Sequence, residues 1–162
     1  MKATGIVRRI DELGRVVIPK EIRRTQRIRR GDPLEIFTTG DGEVIFKKYS
    51  PIGELQGVAM QYAEVLSKSF ALTAFVADRS ISQPLEKLME SRKPYLRQDA
   101  EQTVLPCEGS PRVLLCAFPI IAAGDVAGAV GLLTEDRSAK PDASQQKAVA
   151  VAAAFLAKQM EE

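Results

Sequence analysis

Histidine and tryptophan do not occur in this 162-residue chain, and cysteine occurs only twice, as Cys107 and Cys116. Without histidine, the commonest general base, the nucleophilic triads built on it and any Cys/His zinc constellation are excluded. Two cysteines are too few for a disulfide scaffold, and each reads first as a small buried hydrophobe. No apolar run nears the ~18 residues that span a bilayer, and the opening MKATGIVRRID has no secretory apolar core, so a cytoplasmic protein is expected. The carboxylates are scattered singly, and no GxxxxGK[ST] phosphate loop occurs. Gly128 and Gly131 fall inside an apolar run that reads as a strand, where close packing accounts for them better than phosphate binding. No enzyme, cofactor or metal site is expected.

What the chain does have is charge, unevenly placed. Through Lys48 it carries twelve Lys and Arg against seven Asp and Glu, net +5, whereas the remainder carries eleven against fourteen, net −3. A basic head on a mildly acidic body suits a protein that turns one end toward a polyanion. The head is concentrated in TGIVRRIDELGRVVIPKEIRRTQRIRR, residues 4 to 30, which holds eight arginines and too few apolar residues to bury itself. A second chain or an anionic partner has to complete it.

The first fifty residues read as short strands and turns. Gly5 to Ile10 and Arg15 to Ile18 are expected strands separated by Gly14, and Pro19 suits the first position of a short basic helix from Lys20 to about Arg27. Ile22 supplies most of that helix's apolar face, so it has to dock to be stable. Leu34 to Thr38 and Glu43 to Lys48 form an expected hairpin through Thr39-Gly40-Asp41-Gly42. A unit of this size cannot comfortably build a core alone, which argues for an obligate dimer.

Beyond Ser50-Pro51 the period changes from two to helical. Ile52, Leu55, Ala59, Tyr62 and Leu66 follow a 3-4-3-4 spacing, a narrow seam that fits a partner helix and equally a helix lying on its own sheet. Thr73 to Ala77, Arg112 to Ile121 and Val126 to Thr134 read as strands, the last two joined at Ala123-Gly124-Asp125. Leu85 to Arg92 reads as a helix with Ser82 as N-cap, and a final helix follows Pro141 with Asp142 and Gln145 in capping-box spacing, running through Val149, Ala152, Leu156 and Met160. The predicted domains are 1–51 and 52–162, in an α+β arrangement.

Guanidinium groups bind phosphate bidentately and reach guanine edges in the major groove, so the arginines suit DNA. No aromatic residue precedes Phe37, which removes the base-stacking platform of single-strand and RNA binders and favours duplex DNA.

MKATGIVRRIDELGRVVIPKEIRRT, followed by GDPLEIF and GEVIFKKYSP, resembles the AbrB-type swapped-hairpin DNA-binding domain over residues 1 to 51, with LGRVVIPKEIRR as its signature. The FVADR strand, ISQPLEKLMESRKPY, FPIIAAGDVAGAVGLLTED and the Ala-rich helix ending LAKQM resemble the GAF-like domain of a sporulation regulator of that family. The resemblance implies that two chains interleave their N-terminal hairpins into one β-barrel, followed in each chain by a GAF-like α/β domain flanked by helices. It carries Arg8, Arg9, Arg15, Arg23 and Arg24 over as DNA contacts, with Arg27, Arg29 and Arg30 as peripheral phosphate neighbours. It also implies an oligomer interface on the flanking helices through Ile52, Leu55, Ala59, Tyr62, Leu66, Val149, Ala152 and Leu156, with dimers pairing into a tetramer. The resulting expectation is a homo-oligomeric, nucleoid-associated transcription regulator of late sporulation genes, with room for a small-molecule ligand in the second domain. Two departures stand out: Gln26 replaces a common apolar residue beneath the short helix, and Arg79 runs straight into Ser80 where relatives have a further strand and loop.

Two rival readings remain open at this point. The same barrel occurs in antitoxins that neutralise a toxin partner, although those carry a short acidic disordered tail in place of about a hundred structured residues. The other is a GAF-like redox or small-molecule enzyme using Cys107 and Cys116.

Overall fold

The computed structural model describes residues 4–79, 82–98 and 103–161. They divide into two compact units, the first ending at Tyr49 and the second beginning at Ser50. The Arg79-Ser80 junction noted in the sequence falls at the edge of the described residues, with Ser80 outside them.

In the first unit, helix α1 (Lys20–Thr25) starts behind Pro19, and strands β1 (Leu34–Thr38) and β2 (Val44–Lys48) pair antiparallel with Leu34 opposite Lys48 and Thr38 opposite Val44. Thr39 and Glu43 close the hairpin, the Thr39 amide donating to the Glu43 carbonyl at 3.0 Å, while Gly42 takes the positive φ of 81° that the turn requires. The expected strands at Gly5–Ile10 and Arg15–Ile18 are not strands in the single chain. A ladder needs a second edge, and within the chain these segments meet only each other across the turn at Asp11–Gly14. Helix α1 is shorter than expected because it stops in a Schellman arrangement. The Ile28 amide donates to the Arg23 carbonyl at 2.8 Å, the Arg27 amide donates to the Arg24 carbonyl at 3.3 Å, and Arg27 sits at φ 51°.

Pro19 is the one buried residue among those described in this unit. Val7, Ile10, Leu13 and Val17 are each more than two-thirds exposed, and Ile36, Val44 and Phe46 are also exposed. The first unit therefore has apolar surface without a core of its own.

The second unit is built differently. Helix α2 (Pro51–Glu54) is capped by Ser50, whose hydroxyl also bonds the Asp78 carboxylate; the chain then turns at Leu55 into α3 (Gln56–Phe70). Strand β3 (Thr73–Asp78), helix α4 (Gln83–Glu90), strands β4 (Tyr95–Leu96), β5 (Val113–Ala122) and β6 (Asp125–Thr134), and helix α5 (Ala143–Gln159) complete it. The sheet is antiparallel in the order β3-β6-β5-β4. The expected caps form: the Ser82 hydroxyl accepts from the Leu85 amide, and Asp142 with Gln145 closes a reciprocal capping box.

One sheet face packs under α2, α3 and α5 around Leu115, Cys116, Ile120, Val130, Leu132, Val149 and Leu156, and a second cluster of Ala77, Leu85, Met89, Leu114, Ala117 and Ala129 gathers around α4. Each large side chain so buried contributes roughly 1.5–3 kcal/mol. Gly128 and Gly131 behave as close-packing residues: a Cβ at Gly131 would lie 2.6 Å from both the Cys116 carbonyl and the Phe75 ring, and one at Gly128 would strike the Ala77 carbonyl and Ile52. No helix among the described residues is long and apolar enough to cross a membrane.

Candidate nucleic-acid interface

All eight arginines of the first unit, Arg8, Arg9, Arg15, Arg23, Arg24, Arg27, Arg29 and Arg30, are exposed. An arginine-rich, coreless segment with net charge +5 can hold its charge at the surface because nothing pulls those side chains inward.

The local folding places them in two groups. Arg8 and Arg9 precede the tight turn at Asp11–Gly14, and Arg15 follows it. Asp11 organises this turn. Its backbone amide donates to the Arg15 carbonyl at 3.0 Å, while its carboxylate accepts from the Leu13 amide at 3.0 Å, the Arg15 amide at 2.8 Å and the Arg15 guanidinium Nε at 2.8 Å. The amide of Arg15, with help from its guanidinium, holds the Asp11 carboxyl below its usual range. With Nε engaged, the two terminal nitrogens of Arg15 remain as a fork, and the side chain is 70% exposed. Gly14 supplies the φ of 74° that closes the turn. Asp11 was not picked out from the sequence, although Asp-x-x-Gly before a β-rich segment is a turn signal.

The second group lies on α1, where Arg23 and Arg24 occupy the last turn and complement the helix dipole. The underside of α1 faces an open cavity of about 740 Å³ shared by Ile6, Val16, Ile22, Gln26, Ile28 and Phe46. Gln26 is thus among the lining residues, consistent with its sequence position beneath the helix. Lys48 ties the loop after α1 to the hairpin, its Nζ donating to the Arg27 carbonyl at 2.9 Å and meeting the Asp32 carboxylate at 3.2 Å.

The residues expected at an oligomer interface are distributed otherwise. Ile52, Ala59, Leu66, Val149, Ala152 and Leu156 are buried in their own unit's core, and Leu55 and Tyr62 are half-buried. The outward apolar residues of α3 and α5 are Met60, Val65, Val151 and Phe155, with Phe155 stacked obliquely on Tyr62 at 5.0 Å between ring centres.

The cysteines do not make a reactive pair. Cys116 is fully buried, which pushes its thiol up to about 11, and Cys107 is an exposed free thiol.

A basic, partner-seeking N-terminal unit joined to an independent α+β unit defines a class of two-part regulators, and comparison with known proteins agrees. Residues 76–161 match the family described as "Stage V sporulation protein T C-terminal, transcription factor", and residues 7–54 match "Antidote-toxin recognition MazE, bacterial antitoxin". The chain is 48% identical to stage V sporulation protein T of Bacillus subtilis (strain 168), with all of both chains covered. It belongs to the stage V sporulation protein T family. That match runs over 181 residues although this chain has 162, so the relative carries additional residues. A 51-residue stretch is 61% identical to the transition state regulatory protein AbrB of the same organism, covering 32% of this chain and 52% of the relative. The solution structure of the N-terminal DNA recognition domain of AbrB is 59% identical, covering 32% of this chain and 94% of that chain, at a TM-score of 0.27.

Proposed function

We propose that this chain is a sequence-specific, duplex-DNA-binding regulator of sporulation transcription that acts as a homo-oligomer. The observation that carries the reading is the first unit, in which eight exposed arginines sit on a segment with no apolar core. Membership of the stage V sporulation protein T family and the similarity to AbrB support it.

In this reading two first units interleave their hairpins into one barrel, covering Val7, Ile10, Val17, Val44 and Phe46 and giving residues 5–10 and 15–18 the edges they lack. Arg8, Arg9, Arg15, Arg23 and Arg24, doubled by the dimer, dock on duplex DNA, with phosphate contacts setting register and base contacts and DNA shape setting specificity. The second unit is read as a GAF-like domain for assembly and signal sensing. Its α3 and α5 pair with a second copy through Met60, Val65, Val151 and Phe155, beside a groove of about 420 Å³ whose lining includes Tyr62, Val65, Phe70 and Val151.

The test is a salt titration of binding to an operator duplex. Log K falls with log salt at a slope of several units if several phosphates are neutralised. A flat response would overturn the reading. The antitoxin alternative draws on the match over residues 7–54 but leaves the second unit without a role; co-purification of a small toxin would favour it.

A further inference from the structure

The second unit contains an electrostatic anomaly at Arg97, which follows β4 on the sheet edge. Its amide continues the edge pairing by donating to the Leu115 carbonyl at 3.1 Å. The residue is only 2% exposed, and Arg97 and Thr134 are the buried polar residues among those described. Its Nη1 donates to the Asp136 carbonyl at 3.2 Å, while Nη2 is buried with no hydrogen-bond partner.

Among the described residues no carboxylate lies within ion-pair distance of this guanidinium. Asp136 is close enough for its carboxyl to feel the charge, but its Oδ1 is committed to Ser138, accepting from the amide at 2.8 Å and the hydroxyl at 2.6 Å. A guanidinium has five N–H donors and stays charged at any physiological pH. Burying that charge unpaired costs several kcal/mol, and native proteins offset such a cost with a counter-charge.

The surroundings offer a place for one. Thr134 and Asp136, linked by the Asp136 amide donating to Thr134 Oγ1 at 3.1 Å, line an open cavity of about 440 Å³ together with Thr73, Arg112 and Glu135. Arg112 brings a second cation there, held by Glu135 at 3.3 Å yet 45% exposed.

We propose that Arg97 is the receptor for a small oxyanion, a carboxylate or phosphate group admitted beside Thr134 and Asp136, whose planar or tetrahedral oxygens the free side of the guanidinium fork takes up. Guanidinium–oxyanion pairs are charge-assisted and often bidentate, and such a ligand supplies what no described side chain provides. Binding there ties β4 to the segment after β6, so occupancy stiffens one edge of the sheet. The proposal is independent of the DNA-binding reading.

The experiment follows thermal unfolding of the full chain in increasing inorganic phosphate, with an acetate arm and a chloride control at matched ionic strength. The expected result is a saturable rise in Tm, about 3–8 °C at ten to a hundred times the midpoint concentration, in the phosphate or the acetate arm. Arg97→Met should lose the saturable component and keep only the gradual, unsaturating stabilisation that excluded salts give any protein. Should Arg97→Met fail to fold, Arg97→Lys keeps the charge and removes the fork, and the saturable rise should shrink in it. Wild-type curves that never saturate in either arm, or an equal saturable rise in the substituted chain, would overturn the proposal. Arg112→Gln separates the two cations, since loss of the effect there alone would also refute Arg97 as the receptor.

Discussion

The carboxylate of Asp11 receives both the amide and the Nε of Arg15, each at 2.8 Å, so one acidic residue fixes the backbone and the side chain of a basic one four positions later. This pairing separates two accounts of DNA affinity. If only net charge mattered, Asp11→Ala would tighten binding by removing a negative group from the basic surface. If Asp11 aims Arg15, the same change should weaken operator binding several-fold while leaving binding to unrelated duplex unchanged or stronger. Competition gel shifts with operator and random DNA measure that ratio. Because the Asp11 carboxyl is held below its usual 3.8, the clasp is complete above that value and is lost only as pH falls beneath it. Operator affinity should therefore not change through Asp11 between pH 5 and 8.

Arg15→Ala and Arg23→Ala are expected to weaken operator binding without unfolding the protein, since both side chains are exposed. A base-reading arginine should cost about 1–3 kcal/mol and relax specificity at one position, whereas a phosphate-binding one should lower the salt slope by about 1. Unchanged affinity, with circular dichroism confirming a folded chain, would remove that residue from the interface.

Gly131→Ala should destabilise the second unit by about 1–3 kcal/mol, the usual range for overpacking. The added methyl meets the Cys116 carbonyl and the Phe75 ring at 2.6 Å. Urea denaturation followed by a probe in the second unit is the check, and a midpoint equal to wild type would show that the sheet yields more easily than its packing implies.

Ala123→Gly should have the opposite sign. Ala123 and Gly124 head the β5–β6 hairpin with φ of 48° and 84°, a pair of left-handed conformations that suit glycine or asparagine better than alanine. Relief of the left-handed cost should raise stability by about 1 kcal/mol. Thermal melts of the two chains under one buffer give the answer.

Alkylation should distinguish the cysteines. At pH 8 Cys107 should react promptly with iodoacetamide, while Cys116 should stay protected until the second unit unfolds, its thiol pushed up to about 11 by burial. The sign of the linkage is set by that shift. The neutral buried thiol favours the folded state fully below its ordinary value of 9, and this contribution is lost as pH rises from there toward about 11.

Much of the second unit was legible because its signals are local. Ser82, Asp142 and Gln145 announce their caps by residue type and spacing, and β5 and β6 are apolar runs on either side of an Ala-Gly turn. The seam from Ile52 to Leu66 was legible as a buried stripe, but periodicity does not say which surface covers it. In the chain Ile52, Ala59 and Leu66 meet their own sheet, and the turn at Leu55 breaks the helix that the spacing suggested was continuous. The segments around Val7 and Val17 illustrate the converse case. Their residues are β-prone, yet strand formation depends on an edge that their own chain does not offer. Asp11 and Arg97 escaped the sequence reading for a related reason, since a carboxylate that aims an arginine and a charge without a counter-charge are relations between side chains.

The apolar residues that the first unit leaves uncovered bind its chemistry to the amount of protein present. A unit that acquires its interior only from a second copy has a folded population that rises with the square of the free chain concentration before it saturates. Below that range the arginines belong to an unordered polycation, and above it they are a rigid paired array. Synthesis of the chain would then set a threshold, so that a modest change in its production becomes a steep change in how much competent reader the cell contains.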